Sequence, residues 1–487
     1  MRKVRFLSTL ILALAVAAMS ISPAQAAGPS GGWASGISCQ NLDAGAQAVV
    51  TLTFYREGQS AEAIHYDATI PAGSSQNWLT TSALNMPNFP TNFTGSGVIS
   101  SSTQVACNVN TQSTGVGTTS SPYRIGTSAG FSDAQAGPVM FIPQVVKGPA
   151  GYQTYFAVQN TSTSAVTANV RYYNADGSEL SAAAESASIP GQSTKVFYST
   201  DNANLPTGFN GGARVSAADG STKLAVVVAL YKDGASYATS QFLSYNGFAQ
   251  GSNKVYVPRF VRKLVGYNSG LTIQNVGAAA TNVTVNFTFA GTTYTVSSPA
   301  PIAPGTSWLL YAPSIPALGP VDGLGNSGRE GSAVVTTADP NARVVAIVNE
   351  DNNDSSQGTR YGQGATYNAI GAGSESNSVF FAQFTKNAAN IYSSGFMISN
   401  TTATPGSCNI TYPGQAGLSE TNVPLPGNGV ISRFAGSGVQ TAMLNMVNGY
   451  NAAVRVQCTV PVTGIVNLAA YGGRYGDSFT QTTGLNQ

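Results

Sequence analysis

Catalysis needs acids, bases, nucleophiles or metal ligands that can converge, and this chain carries few of them. Its one histidine, His65, lies in Ala63-Ile64-His65-Tyr66-Asp67. The local alternation places it on a strand of one repeat alone, where a structural or surface role is expected rather than catalysis. Gly126-Thr127-Ser128-Ala129-Gly130 matches the G-x-S-x-G pattern of a nucleophile elbow. A chain this rich in Gly and Ser produces such a match by chance, and no helix pattern follows it, so a linker is expected there. No zinc-ligand spacing, phosphate loop or dinucleotide fingerprint is present. The sequence therefore assigns no catalytic residue and no cofactor.

One run concentrates oxygen ligands, Asn349-Glu350-Asp351-Asn352-Asn353-Asp354. Carboxylates and amide carbonyls suit calcium, which makes Asn349, Glu350, Asp351 and Asp354 the metal candidates; a solvated turn is the plainer alternative. The spacing does not fit an EF-hand, because Gly362 stands twelfth counting from Asp351. Asn-x-Ser/Thr sequons at Asn92, Asn160, Asn282, Asn286, Asn400 and Asn409 read mostly as by-products of Asn/Thr-rich strands. An aromatic recurs at Trp33, Tyr152, Tyr267 and Tyr392, at the start of one strand in every repeat. It could present a platform to glycans, but its position favours a packing or corner role.

Four cysteines fall in two pairs. Cys39 shares the inward phase with Ile37, Cys107 with Val105 and Val109, Cys408 with Ile410 and Tyr412, and Cys458 with Val454 and Val456. Thiols pointing into two cores of an exported protein predict the disulfides Cys39–Cys107 and Cys408–Cys458, which would staple only the first and last repeats. In a linear array those are the units with a single neighbour.

The elements that must position these residues are repeated. Trp33-Ala34-Ser35-Gly36-Ile37-Ser38-Cys39-Gln40-Asn41 returns as Tyr152 to Asn160, as Tyr267 to Asn275, and as Tyr392 to Asn400. The closing asparagines lie roughly 120 positions apart, the length of one small domain. After each comes an alternating segment: Val50 to Phe54, Ala168 to Tyr172, Val283 to Phe289, and Cys408 to Tyr412. Strict alternation marks a strand with one buried and one wet face. A turn follows at Ala72-Gly73, Pro190-Gly191, Pro304-Gly305 and Pro426-Gly427, where Gly is expected to supply a positive φ. A later apolar strand appears at Val105 to Val109, Leu224 to Leu230, Val344 to Val348, and Ile465 to Leu468. Connectors with strands of their own precede the second, third and fourth repeats, at Val139 to Pro143, Val255 to Phe260, and Val379 to Phe384. The prolines in the first two, Pro143 and Pro258, predict edge strands. No such strand precedes the first repeat once a leader is removed, so its sheet edge is expected to be uncovered.

The leader itself is legible. Met1-Arg2-Lys3-Val4-Arg5 is a basic start, Phe6 to Met19 an apolar run, and Ala24-Gln25-Ala26 a cleavage pattern. No later stretch is long and apolar enough to span a bilayer, so no membrane-spanning segment is expected. Charged residues make up 9% of the chain and the net charge is +2, which leaves no broad basic field for nucleic acid. The one basic cluster, Arg259, Arg262 and Lys263, reads as a solvated edge that discourages strand pairing.

Ser269-Gly270-Leu271-Thr272-Ile273-Gln274-Asn275-Val276-Gly277, followed by Asn282 to Phe287, resembles bacterial extracellular immunoglobulin-like modules of the cell-adhesion-related type, in which an N-x-G turn precedes a V-x-V-x-F/Y strand. The resemblance implies a sandwich of about seven strands on the cell surface or in the envelope, with adhesive or structural duties. The expected protein is all-β: a signal peptide over 1–26, then four tandem β-sandwich modules over 27–133, 134–251, 252–373 and 374–487. It is expected to be secreted, non-enzymatic, and to associate with itself or with other surface components; a polysaccharide-binding protein recognising glycans is the alternative.

Overall fold

A computed structural model describes residues 10–14, 28–114, 117–234, 236–319, 328–436, 438–470 and 475–486. The leader residues 1–9 and 15–26, with the expected cleavage pattern, lie outside the described residues. The described chain is built of strands, and Thr441–Asn445 is its one α-helix among the described residues.

The alternating segments form strands with one dry face. In Ala48–Arg56 the residues Val50, Leu52 and Phe54 are buried, and in Val283–Phe289 so are Val283, Val285 and Phe287. Each of these strands makes a hairpin with the next, Glu62–Ile70, Glu185–Ile189, Thr292–Ser297 or Ser419–Leu425. The third hairpin turns on Ala290 and Gly291, both with positive φ, as a two-residue turn that matches the strand twist requires. Its other neighbour is Gly95–Ser101, Phe209–Ala217, Arg329–Thr337 or the first half of Tyr450–Ala470. A second sheet sets the repeated motif strand between a short strand and the late apolar strand, with one further strand outside: Tyr123–Ala129, Ser240–Asn246, Gly364–Asn368 or Phe479–Thr483. The two sheets bury their inner faces on each other, so Ile37 and Cys39 meet Val50 and Leu52 in one core.

Two of the turns depart from expectation. Gly73 and Gly305 have positive φ, but at Pro190-Gly191 and Pro426-Gly427 the positive φ falls one residue later, on Gln192 and Asn428. Gly191 and Gly427 are needed for closeness instead: a Cβ on either would collide with the backbone of Thr163 or Ala403.

Cys39 is bonded to Cys107 and Cys408 to Cys458, directly opposite one another across neighbouring strands. The closed loops span 68 and 50 residues, so removing either bridge by a double Cys→Ala substitution should lower stability by about 3 kcal/mol. Denaturant unfolding under oxidising conditions checks this; equal midpoints with and without the bridge would contradict it.

The connector strands are not edges, since each has a paired neighbour on both sides, and the prolines in two of them mark bulges instead. Register shifts fall between Ile142 and Val145 at Pro143, and between Val257 and Phe260 at Pro258. The second bulge overturns the reading of the basic cluster as a solvated edge. Arg259 is turned inward onto Glu350 and Glu330, and Arg262 is 1% exposed, with its guanidinium donating to the carbonyls of Leu318 and Gly319. A carboxylate as deeply buried as Glu350 needs a cation beside it, and the bulge supplies one.

A linear array is also overturned. The four outermost strands Tyr123–Ala129, Ser240–Asn246, Gly364–Asn368 and Phe479–Thr483 pack side by side around one axis, each against two of the others. The first and last repeats therefore meet. Gly476–Asp477 lies parallel to Tyr123–Arg124, Asn110 Nδ2 donates to Gln383 Oε1 at 2.8 Å, and Phe380 packs with Leu42 and Ala106. The G-x-S-x-G match is consequently not a linker. Thr127 and Ser128 are buried in the axial strand, and a Cβ on Gly126 would run into Phe242.

The edge of the first repeat is filled in this structure. Leu10–Leu14, inside the apolar run of the leader, pairs antiparallel with Gly95–Ser101 and with Phe131–Ser132.

Candidate functional site

The closing asparagine of the repeated motif has a structural task in all four repeats. Asn160 is fully buried; its Nδ2 donates to the carbonyls of Ser164, Ile189 and Pro190 at 2.7, 3.0 and 3.2 Å, and its Oδ1 accepts from the Ser162 amide and hydroxyl. Asn41, Asn275 and Asn400 make the corresponding bonds to Ala46 and Ile70, to Ala279 and Ile302, and to Thr404 and Pro426. One carboxamide thus clasps two turns, giving their carbonyls a buried side-chain donor. Of the sequons, Asn160 and Asn400 are clasps with no free amide, whereas Asn92, Asn282 and Asn409 are exposed.

The recurring aromatic faces the seams between repeats. Trp33 packs on Phe242 of the second repeat with ring centroids 4.7 Å apart, Tyr267 on Phe479 of the fourth at 5.0 Å, and Tyr392 against Tyr123 of the first at 6.4 Å. Tyr152 donates to Gln241 and sits under Lys232, 4.1 Å from the ring centroid. Trp33 and Tyr267 are 7% exposed, so neither offers a face to a glycan. His65 lies on the open strand Glu62–Ile70, paired with Glu62 at 2.5 Å, and that carboxylate raises its pKa.

The oxygen-rich run is divided by the strand it occupies. Asn349 Nδ2 donates to Gln144 Oε1, across the seam between the second and third repeats. Glu350, on the opposite face, is held by Arg259 through two bonds of 3.0 Å and by Gln481 Nε2 at 2.9 Å. Asp351 accepts from Asn353, while Asp354 caps the short helix Ser355–Arg360 by accepting from the Ser356 amide. The four metal candidates therefore do not converge, and among the described residues no three His, Cys, Asp or Glu side chains gather into a metal-binding group.

What does converge is a polar centre that the sequence did not single out. Asp477 is fully buried; its Oδ1 accepts from the Gly364 amide at 2.8 Å and its Oδ2 from the Phe242 amide at 2.9 Å. Those amides stand at equivalent places in the axial strands of the third and second repeats. Burial pushes the Asp477 carboxyl well above its ordinary value against the pull of these donors. Nearby, Asp351 is pushed up to about 6 by burial, partly countered by Asn353 and Lys232, and burial lowers the pKa of Lys232. Arg124 ties the first repeat to the second through Asp233 at 2.6 Å and lies over the Trp33 ring.

A pH dependence follows. With a folded pKa near 6 against an ordinary 3.8, Asp351 holds a proton in the folded state that the unfolded chain has already released. Its contribution is full at low pH and is lost as pH rises, so stability should fall by about 2 kcal/mol between pH 4 and pH 7. Asp477 acts in the same direction. Asp219, held down to about 2 by Thr222 and Ser221, acts oppositely but only below this window. Urea unfolding at several pH values checks the slope, and Asp351→Asn should reduce it. Stability rising across the window would refute the assignment.

At one end of the axis the chain encloses a cavity of about 630 Å³, lined by the segments that follow the four axial strands. The side-chain carbonyls of Asn108 and Asn246 on its wall have no protein partner, so it offers acceptors to water or hydroxyl groups. Glu375 is the one titratable side chain among its lining residues, and a lone carboxylate supplies no acid–base pair.

No protein-family model and no curated protein matches the chain. Among solved structures it is similar to one described as "Ca2+-stabilized adhesin helps an Antarctic bacterium reach out and bind ice", at 11% identity over 93% of each chain with a TM-score of 0.13. It is also similar to a "Biofilm associated protein - BSP domain", at 9% identity over 93% of this chain and 90% of that one, with a TM-score of 0.11. At these TM-scores the likeness carries no argument about fold or activity.

Proposed function

We propose that this is a non-enzymatic, secreted structural or adhesive protein of the cell surface, made of four β-sandwich modules divided near residues 134, 252 and 374. The observation that carries the reading is how the scarce charged groups are used. Arg124 with Asp233, Arg259 with Glu350 and Glu330, and Asp477 with two backbone amides all join strands or repeats to one another. Groups locked into such contacts are unavailable to a substrate, and the two buried disulfides suit an oxidising compartment. The glycan alternative loses support because its aromatic candidates serve the seams. Antibody labelling of intact producing cells tests the reading, together with adherence and envelope integrity after loss of the gene. Surface label with impaired adherence or a weakened envelope is expected; label confined to the cytoplasm would overturn it.

A further inference from the structure

The four repeats share one slot, and its occupant in the first repeat is exceptional. Beside Phe209–Ala217 lies the connector strand Val139–Lys147, beside Arg329–Thr337 lies Lys254–Arg262, and beside Tyr450–Ala470 lies Ser376–Lys386. Two alternate residues of each reach the core: Met140 and Ile142, Val255 and Val257, and Val379 and Phe381, all at most 2% exposed. In the first repeat Leu10–Leu14 takes this place in the same register. Leu12 stands opposite Ile99 and Ser132, as Val255 stands opposite Val335 and Gly371; Leu14 stands opposite Gly97, as Val257 stands opposite Ala333. The apolar run of the leader therefore stands where a connector strand belongs.

Removal of the leader would empty the slot. Gly95–Ser101 and Phe131–Ser132 would keep backbone groups facing it, above a core that includes Leu52, Phe54 and Ile99. The new N-terminus cannot refill it. Ser30 is fastened to Asp233 of the second repeat by its amide at 2.8 Å and its hydroxyl at 2.7 Å, and Trp33 Nε1 donates to the Pro29 carbonyl. Nor has a folded second copy a strand free on both edges, as a slot between Gly95–Ser101 and Phe131–Ser132 requires, since every other strand among the described residues already pairs on at least one side within the chain.

We propose that the mature protein binds, at the edge of Gly95–Ser101, an extended strand donated by a separate polypeptide. The strand runs antiparallel to that edge and carries apolar side chains at alternate positions. Main-chain bonds would give affinity and the two inward side chains selectivity. The inference rests on the exported, processed state proposed above, but its peptide test does not depend on where the cell places the protein.

A peptide of residues 253–262, this chain's own connector sequence, is the probe. It should bind residues 27–487 one to one and slow amide exchange over 95–101, while leaving the intact chain 1–487 unaffected. In the intact chain, Leu12→Lys with Leu14→Lys should release the strand and restore peptide binding with nothing removed. A peptide with Val255→Lys and Val257→Lys should bind more than about tenfold more weakly, having lost two apolar anchors. Joining residues 253–262 to Ala27 through a flexible linker should give a folded protein that no longer takes free peptide, which controls for misfolding. Slow exchange over 95–101 in a monomeric 27–487 that ignores the peptide would overturn the proposal. Protection arising only in a dimer would overturn the separate donor in favour of a second copy. An exported protein that still carried residues 10–14 would overturn it by leaving the slot filled.

Discussion

Asp477→Ala is expected to lower stability by about 4 kcal/mol and to loosen the contact between the last repeat and the other three. Each carboxylate oxygen accepts one buried amide, from Phe242 and from Gly364, and alanine would leave both N–H groups without a partner. A buried donor stripped of its acceptor costs about 1–3 kcal/mol, and two are stranded here. The same residue continues the backbone that lies beside Tyr123–Arg124, where the Tyr123 amide donates to the Tyr475 carbonyl at 2.9 Å. One residue therefore touches all three other repeats. Hydrogen exchange should quicken at Phe242 and Gly364 first, and small-angle scattering should report a larger radius. Asp477→Asn should cost about half as much, because its carbonyl keeps one acceptor while its amide group opposes the second N–H. Unchanged exchange at both amides in Asp477→Ala would show that the closure does not depend on this carboxylate.

The parts of the fold that were readable are those written in local periodicity. Val50, Leu52 and Phe54 announce a half-buried strand by spacing alone, and the shared phase of Cys39 with Ile37 places a thiol in the core before its partner is known. The closed arrangement was not readable, because side chains made similar by repetition do not say which repeats touch. Trp33, Tyr267 and Tyr392 carried that signal as aromatics at a strand start, yet a seam and a corner demand the same ring. Asp477 was invisible for a different reason. It sits outside every repeated segment, next to Gly476, whose φ of 111° and contact with the Tyr123 backbone admit only glycine. The cation cluster misled because Arg259 and Glu350 are distant in sequence, so a buried pair looked like a solvated edge. The leader was legible as a leader, but its fit to a strand slot depends on register with Ile99 and Ser132, which spacing cannot supply.

Asn160→Asp should be among the most damaging single substitutions in this chain, costing about 5 kcal/mol, although it changes only an amide nitrogen into an oxygen. The Asn160 amide group faces three carbonyls, those of Ser164, Ile189 and Pro190, while its carbonyl accepts from Ser162. A carboxylate keeps the second interaction and reverses the first, setting negative charge against three acceptors in a site with no exposure. Protonation would relieve one of those contacts, so the variant should recover part of its stability as pH falls toward 4. Asn160→Ala should cost about 3 kcal/mol and show no such recovery, because it strands the same carbonyls without adding charge. The aspartate variant should therefore be the worse of the two at pH 7, and the gap should narrow in acid. Urea unfolding of both variants at pH 7 and pH 4.5 measures the difference directly. An aspartate as stable as asparagine at pH 7 would mean that the two turns close without this clasp, and that its recurrence at Asn41, Asn275 and Asn400 has another cause.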